Sequence, residues 1–186
     1  MQSLIFPPIS LSPLNALYIN SLPLDYKKQR LESGVVQGVA SYVHNEAGCL
    51  LMRERREHAE TLAALLAAAS ITSVVLHGGM RVRERQAAEA QLHKAQVIVA
   101  TGKYIGEGFD LPRLDTLSLA LPIAWKGTLS QYAGRIHRAV EGKQEVTVYD
   151  YLDTGLPMLE RMFRKREKGY KAMGCKFTAS GQTKLL

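Results

Sequence analysis

The sequence predicts an α/β fold with a mostly parallel central sheet, and three observations carry that expectation. Short strand-like runs recur along the chain, Cys49–Met52, Ser73–Leu76, Val97–Ala100, Leu117–Leu121 and Val146–Tyr151, and Val97–Ala100 and Leu117–Leu121 read as apolar runs without alternation. A strand covered on both faces reads this way, because neither side meets water. Segments of helical composition separate the runs, so that strands and helices alternate from Cys49 onward. Glycine-bearing turns follow two of the strands, His77-Gly78-Gly79 and Thr101-Gly102-Lys103. Those are the carboxyl ends, where open parallel sheets hold ligands.

The elements follow in order. Met1 to Leu24 is rich in Pro, Ser and Leu and has no sustained period, so it is expected to be a linker or extended segment. Its apolar residues imply that it lies against something, such as a neighbouring lobe. Asp25 can cap a helix running to about Asn45, with Leu31, Val35, Val39 and Val43 near fourfold spacing. Gly34 and Gly38 weaken it. After the first strand, Glu54 to Ala69 is a helix rich in Ala, Leu and Glu. The second strand ends in the His77 turn, and a basic amphipathic helix is expected from Arg81 to His93. Leu117–Leu121 stops at Pro122, and Thr128 is placed to cap the helix that follows. The last helix is expected from Gly155 to Met173, with Leu156, Leu159, Met162, Phe163 and Arg166 on or near its inner face. Residues 25–173 then form one domain, and 174–186 a flexible basic tail.

Composition narrows the classes. The 186 residues are 46% hydrophobic and 22% charged, as in globular domains of this size. Two cysteines are too few for a disulfide framework and are compatible with a reducing cytoplasm. No apolar run is long enough to span a bilayer, and the proline-broken amino terminus does not read as a secretory signal. None of the five histidines has metal-ligand spacing, so no metal site is expected. The net charge of +7 is concentrated after Glu160, in Arg161, Arg164, Lys165, Arg166, Lys168, Lys171, Lys176 and Lys184. Such a cluster fits a polyanionic partner or a solvated helix face.

Two stretches carry chemistry. Ala100-Thr101 is followed by Glu107-Gly108-Phe109-Asp110, and further on stands Gln131-Tyr132-Ala133-Gly134-Arg135-Ile136-His137-Arg138. Gln131, Arg135 and Arg138 fall at i, i+4 and i+7 and share one helix face. Gly134 in mid-helix costs about 1 kcal/mol, which calls for close packing or function. A hydroxyl at Thr101 on a tight turn suits a backbone phosphate, and amides at a helix start after Gly78-Gly79 suit an anion.

These stretches resemble motifs V and VI of superfamily 2 helicases, in the family's order and with a strand between them. The block from Cys49 to Ala69 is similar to motif IV. The chain from roughly Cys49 to Met173 therefore resembles the second RecA-like lobe of a DEAD/DEAH-box helicase, a three-layer α/β sandwich. Pro122–Gly127 and Val148–Tyr151 resemble a bacterial branch linked to DNA restriction and repair.

The resemblance implies roles residue by residue. Arg135 and Arg138 become catalytic arginine fingers, and Gly108, Asp110, Gln131, Arg135 and Arg138 bind nucleotide, with Asp110 on a ribose hydroxyl. His77, Gly78, Gly79, Thr101, Gly102 and Lys103 contact nucleic acid. Arg53, with Arg55 and Arg56 beside it, touches nucleic acid or the partner lobe, or else forms a charged first helical turn. The implied cofactor is ATP with Mg2+, and the implied partners are nucleic acid, DNA before RNA, and a first RecA-like lobe.

That first lobe is the departure from the family's pattern. No G-x-x-x-x-G-K-[ST] is present: Gly102-Lys103 and Gly142-Lys143 are followed by Tyr104 and Gln144, and preceded by Val97 and His137 where the leading glycine belongs. There is no D-E-A-D or D-E-x-H either. ATP binding is thus expected only with a first lobe in place, in cis or in trans. A non-enzymatic nucleic-acid-binding or regulatory lobe that docks on another motor is the alternative.

Overall fold

The computed structural model describes residues 9–12, 34–40, 43, 48–105, 109–121, 123, 126–136, 146–151, 157–173 and 176–177. Strands β1 (Ile9–Ser12), β2 (Gly48–Arg53), β3 (Ser73–Leu76), β4 (Val97–Thr101), β5 (Leu114–Leu119), β6 (Val146–Asp150) and β7 (Lys176–Phe177) form one sheet in the order β3-β4-β2-β5-β6-β1-β7. Every pairing is parallel. Helices are α1 (34–40), α2 (Arg56–Ala68), α3 (Val82–Glu89), α4 (Gly102–Ile105), α5 (Lys126–Ile136) and α6 (Pro157–Ala172).

The uninterrupted apolar runs are buried on both sides of the sheet. All residues of β2 and of β4 are buried. Their side chains alternate between two cores. Cys49, Leu51, Val97 and Val99 pack with Val35, Val36, Val39 and Val43 and with Ala59, Leu62 and Leu66 of α2. Leu50, Met52, Ile98 and Ala100 pack on the other face with Leu76, Leu117, Leu119, Tyr132, Ile136, Val148 and Tyr170. This is the expected three-layer sandwich, and each fully buried Leu or Met contributes about 1.5–3 kcal/mol.

The differences from the sequence reading lie at edges and ends. Ile9–Ser12, within the extended segment, is a strand that pairs with β6, Ile9 opposite Val146 and Ser12 opposite Tyr149. Lys176 and Phe177, placed in the tail, pair with Ser10 and Leu11. The two terminal segments thus lie side by side. Helix α3 ends at Glu89 rather than His93 and has no fully buried residue. Arg113 closes the turns after it by donating to the carbonyls of Leu92 (2.6 Å) and Ala95. Strand β5 begins at Leu114, earlier than the apolar run, and α5 begins at Lys126, so Thr128 lies inside the helix rather than capping it.

Two local features matter below. Two residues past the end of α2 stands Ser70, whose φ of 61° is left-handed, and the Ile71 amide donates to the Leu66 carbonyl at 2.9 Å. In α6, Arg166 is buried. It donates twice to the Asp150 carboxylate at 2.7 Å, beside a Tyr170 hydroxyl at 2.8 Å from the same group.

Candidate nucleic-acid and nucleotide interface

Parallel strands bring all their carboxyl ends to one edge, and the register aligns those ends. Arg53 of β2 stands opposite Thr101 of β4, Leu76 of β3 opposite Ala100, and Leu119 of β5 opposite Asp150 of β6. The segments that leave these strands enclose a cleft of about 720 Å³. His77, Gly78 and Gly79 line it after β3, Thr101 and Gly102 after β4, Glu54 and Arg56 after β2, Leu121 and Ile123 after β5, and Tyr132 from α5. Five of the residues that sequence assigned to nucleic-acid contact therefore sit in one cleft, although they come from two separate turns.

The polar groups are fixed by local bonds. His77 is 8% exposed, and its Nδ1 accepts the Gly79 amide hydrogen at 3.2 Å. A neutral ring in that bond carries its proton on Nε2. Thr101 is buried at the end of β4. Helix α4 begins at Gly102, directly under the Tyr132 hydroxyl. Burial pushes the Tyr132 phenol above its ordinary range. At the far side of α4, Tyr104 donates to Glu89 at 3.0 Å and lies 5.2 Å from the Arg85 guanidinium, ring centroid to carbon. This contact joins α4 to α3.

Arg53 does not face the cleft. It is 6% exposed, and its Nη1 donates to the Ala120 carbonyl, tying the end of β2 to the segment after β5. Arg56, three residues on, lines the cleft and is paired with Glu60 at 2.7 Å. The physical reason is placement: Arg53 is still inside the buried strand, whereas Arg56 opens the exposed first turn of α2.

Helix α5 presents its two sides differently. Tyr132, Ala133 and Ile136 are buried, whereas Gln131 is exposed and Arg135 half-buried. Arg135 Nη1 donates to the Phe109 carbonyl at 3.1 Å, which brings the guanidinium to the residue before Asp110, itself exposed. Gly134 is not explained by packing within the lobe, since nothing lies within 4 Å of where its side chain would begin. Gly108, His137 and Arg138 lie outside the described residues, as does the side chain of Lys103.

The sequence missed Tyr132, Glu54, Leu121 and Ile123 as cleft residues. The signal for Tyr132 was weak, because helical period sets it three residues before Arg135, at the flank of the polar face rather than opposite it. Among the described residues no group of three or more His, Cys, Asp or Glu could hold a metal ion. No described helix is long and apolar enough to cross a membrane.

Comparison with known proteins bears on this arrangement. Residues 34–140, more than half of the chain, match the helicase conserved C-terminal domain. The chain is 28% identical over 138 residues to the probable helicase D10 of Escherichia phage T5, covering 71% of this chain and 31% of that protein. It is 27% identical over 128 residues to UvrABC system protein B of Chlamydia trachomatis serovar D, covering 66% of this chain and 19% of that protein. The chain thus spans about a third or less of the length of these relatives. Among solved structures, S. cerevisiae Dbp5 bound to RNA and ADP BeF3 superposes with a TM-score of 0.68 at 13% identity, covering 94% of this chain and 41% of that chain. That likeness speaks for the fold. The matched domain, the parallel sheet and the order of the motif residues agree: the chain belongs to the helicase conserved C-terminal domain family, as a second RecA-like lobe of the superfamily 2 type.

Proposed function

We propose that this lobe is the second half of an ATP-dependent helicase or translocase, completed by a first lobe that carries the P-loop and the magnesium-holding acids. The observation that carries the reading is the shared carboxyl edge of the sheet. There the His77–Gly79 and Thr101–Gly102 turns form a cleft, and α5 starts from the same edge with Gln131 exposed and Arg135 bonded beside Asp110. Nucleic acid would lie along the cleft, held by backbone amides, the Thr101 hydroxyl and Arg56, none of which reads base identity.

Bound ATP with Mg2+ would supply the phosphoryl group whose transfer drives the cycle. The residues of this lobe fit its phosphates: Gln131 and Arg135 are hydrogen-bond donors on one face of α5, and Arg138 follows one turn on in sequence. In this reading the metal would be held by the acids of the first lobe. Asp110 would accept from a ribose hydroxyl. A glycine at 134 leaves open the face between Gln131 and Arg135, where another lobe could approach closely. DNA is the favoured strand, on the likeness of Pro122–Gly127 and Val148–Tyr151 to restriction and repair helicases, and RNA is the comparison.

The test is reconstitution with a first lobe, read by ATP turnover and by oligonucleotide affinity. The isolated chain should hydrolyse no ATP. In the complete pair, Arg135→Ala and Arg138→Ala should each lower turnover by orders of magnitude, as arginine fingers worth about 10³–10⁵ in rate do elsewhere. Nucleic-acid affinity should stay near wild type. Asp110→Ala should weaken nucleotide binding by about 1 kcal/mol. Wild-type turnover in both arginine variants would overturn the reading.

A further inference from the structure

Helix α6 is held in one rotation about its axis. Arg166 grips Asp150 with two bonds of 2.7 Å, and its remaining nitrogen donates to the Ile123 carbonyl. Burial opposes the Arg166 charge, but the paired carboxylate and Tyr170 outweigh it and hold the guanidinium above its ordinary pKa. Such a bidentate, buried pair fixes geometry as well as charge. Since Ile123 lines the cleft, the inner face of α6 backs the cleft wall.

The outer face is a stripe of cations. Arg161, Arg164, Lys165 and Lys168 are all exposed, and they stand at i, i+3, i+4 and i+7. Among the described residues none of these four is paired with an acid. Two acids share the helix: Glu167 is bound by Lys171 at 2.8 Å, and Glu160 stands at its start, one residue before Arg161.

We propose that this stripe is a second nucleic-acid contact, which grips the phosphate backbone outside the cleft; it rests on the nucleic-acid reading of the lobe given above. From Arg161 to Lys168 the helix rises about 10 Å, the axial length of about three successive phosphates on one strand at 3.4 Å each. The backbone that carries the cations is fixed by Arg166, so binding has to order only their side chains. A lipid surface fits less well. An interfacial helix turns its apolar face to the membrane, whereas here Tyr170 is buried in the core, Met162 and Phe163 are half-buried, and on this helix only Met158, 55% exposed, stands out.

The experiment uses the chain itself, a fluorescent duplex oligonucleotide and a salt titration. Each phosphate contact contributes about 0.9 to the slope of log affinity against log salt on duplex DNA. The variant Arg161→Gln/Arg164→Gln/Lys165→Gln/Lys168→Gln should flatten that slope by about three to four, whereas Arg56→Gln in the cleft should flatten it by about one. Lys165→Arg/Lys168→Arg should keep the wild-type slope. All substitutions are on exposed positions, and circular dichroism confirms that the fold is retained. An unchanged slope in the fourfold variant would overturn the stripe while leaving the cleft reading intact. Equal affinity of the wild type for phosphatidylserine vesicles and for the duplex at the same salt would also overturn it, in favour of a lipid surface. A wild-type chain that binds no oligonucleotide even at 50 mM salt would overturn both readings.

Discussion

The hydroxyl of Tyr132 stands where a side chain on Gly102 would have to go. The turn after β4 and helix α5 therefore meet through a phenol laid on bare backbone, and the two motif stretches are in contact. Only the hydroxyl oxygen is too close; the ring carbon that bears it is at an ordinary 3.6 Å.

Gly102→Ala should cost about 1–3 kcal/mol of stability through overpacking, because Tyr132 is buried and has little room to move. Tyr132→Phe removes the offending atom and should recover most of that loss. Urea unfolding of the two single variants and the double variant measures the coupling, expected at about 1 kcal/mol or more. Additive losses would show that the contact is slack.

Removing one partner of the Asp150–Arg166 pair should be far worse than removing both. Arg166→Met leaves a buried carboxylate without its cation and should cost about 3–5 kcal/mol. Asp150→Leu/Arg166→Met should lose much less, since an apolar pair of similar volume asks for no solvation. Denaturant midpoints at equal m-value decide between the two outcomes.

Ser70→Gly should stabilise the chain by about 0.5–1 kcal/mol, the relief of a left-handed residue offset by the entropy that glycine adds to the unfolded chain. Ser70 is exposed and lies two residues past the end of α2, so no packing is lost. A rise in melting temperature checks it, and a fall would mean that the hydroxyl contributes more than the φ costs.

Alkaline pH should weaken the fold through tyrosines. Burial raises the Tyr132 phenol, and burial with the bond to Glu89 raises Tyr104. A raised folded pKa means that the folded state holds the proton longer than the unfolded chain, whose tyrosines ionise at about 10. Stability is then fully present below about pH 10 and is lost as pH climbs from there through the higher folded values. Tyr132→Phe should make the decline in melting temperature between pH 9.5 and about 11 shallower.

How much of this was legible in the sequence depends on how local each signal is. Strands β2 and β4 announced themselves as apolar runs, because a strand buried along its whole length has no polar face to interrupt it, whereas β3 and β6 alternate buried with half-buried residues. Motif order gave α5 and its polar face. Strand β1 was not legible as a strand: four residues, Ile9 to Ser12, gain their partners from Val146–Tyr149, far along the chain. The arginine turn after β2 was legible as basic but not by residue, since three positions separate the buried edge at Arg53 from the cleft at Arg56. Arg166 was set on the inner face of α6 by helical period and also counted with the basic tail. Only its partner Asp150 settles that it is structural, and no pattern within α6 names an acid on another strand.

The pairing of β1 between β6 and β7 has a consequence for the order of assembly. Ser10 finds Lys176 beside it, so this edge of the sheet joins residues that lie far apart along the chain. Contacts that close so long a loop form late, because chain entropy must be lost before they reward it. On a ribosome, the segment around Ile9 would wait unpaired until β6 and then β7 had emerged. A chain shortened before Lys176 would keep its central sheet but lose the latch that holds Ile9–Ser12 from its outer side.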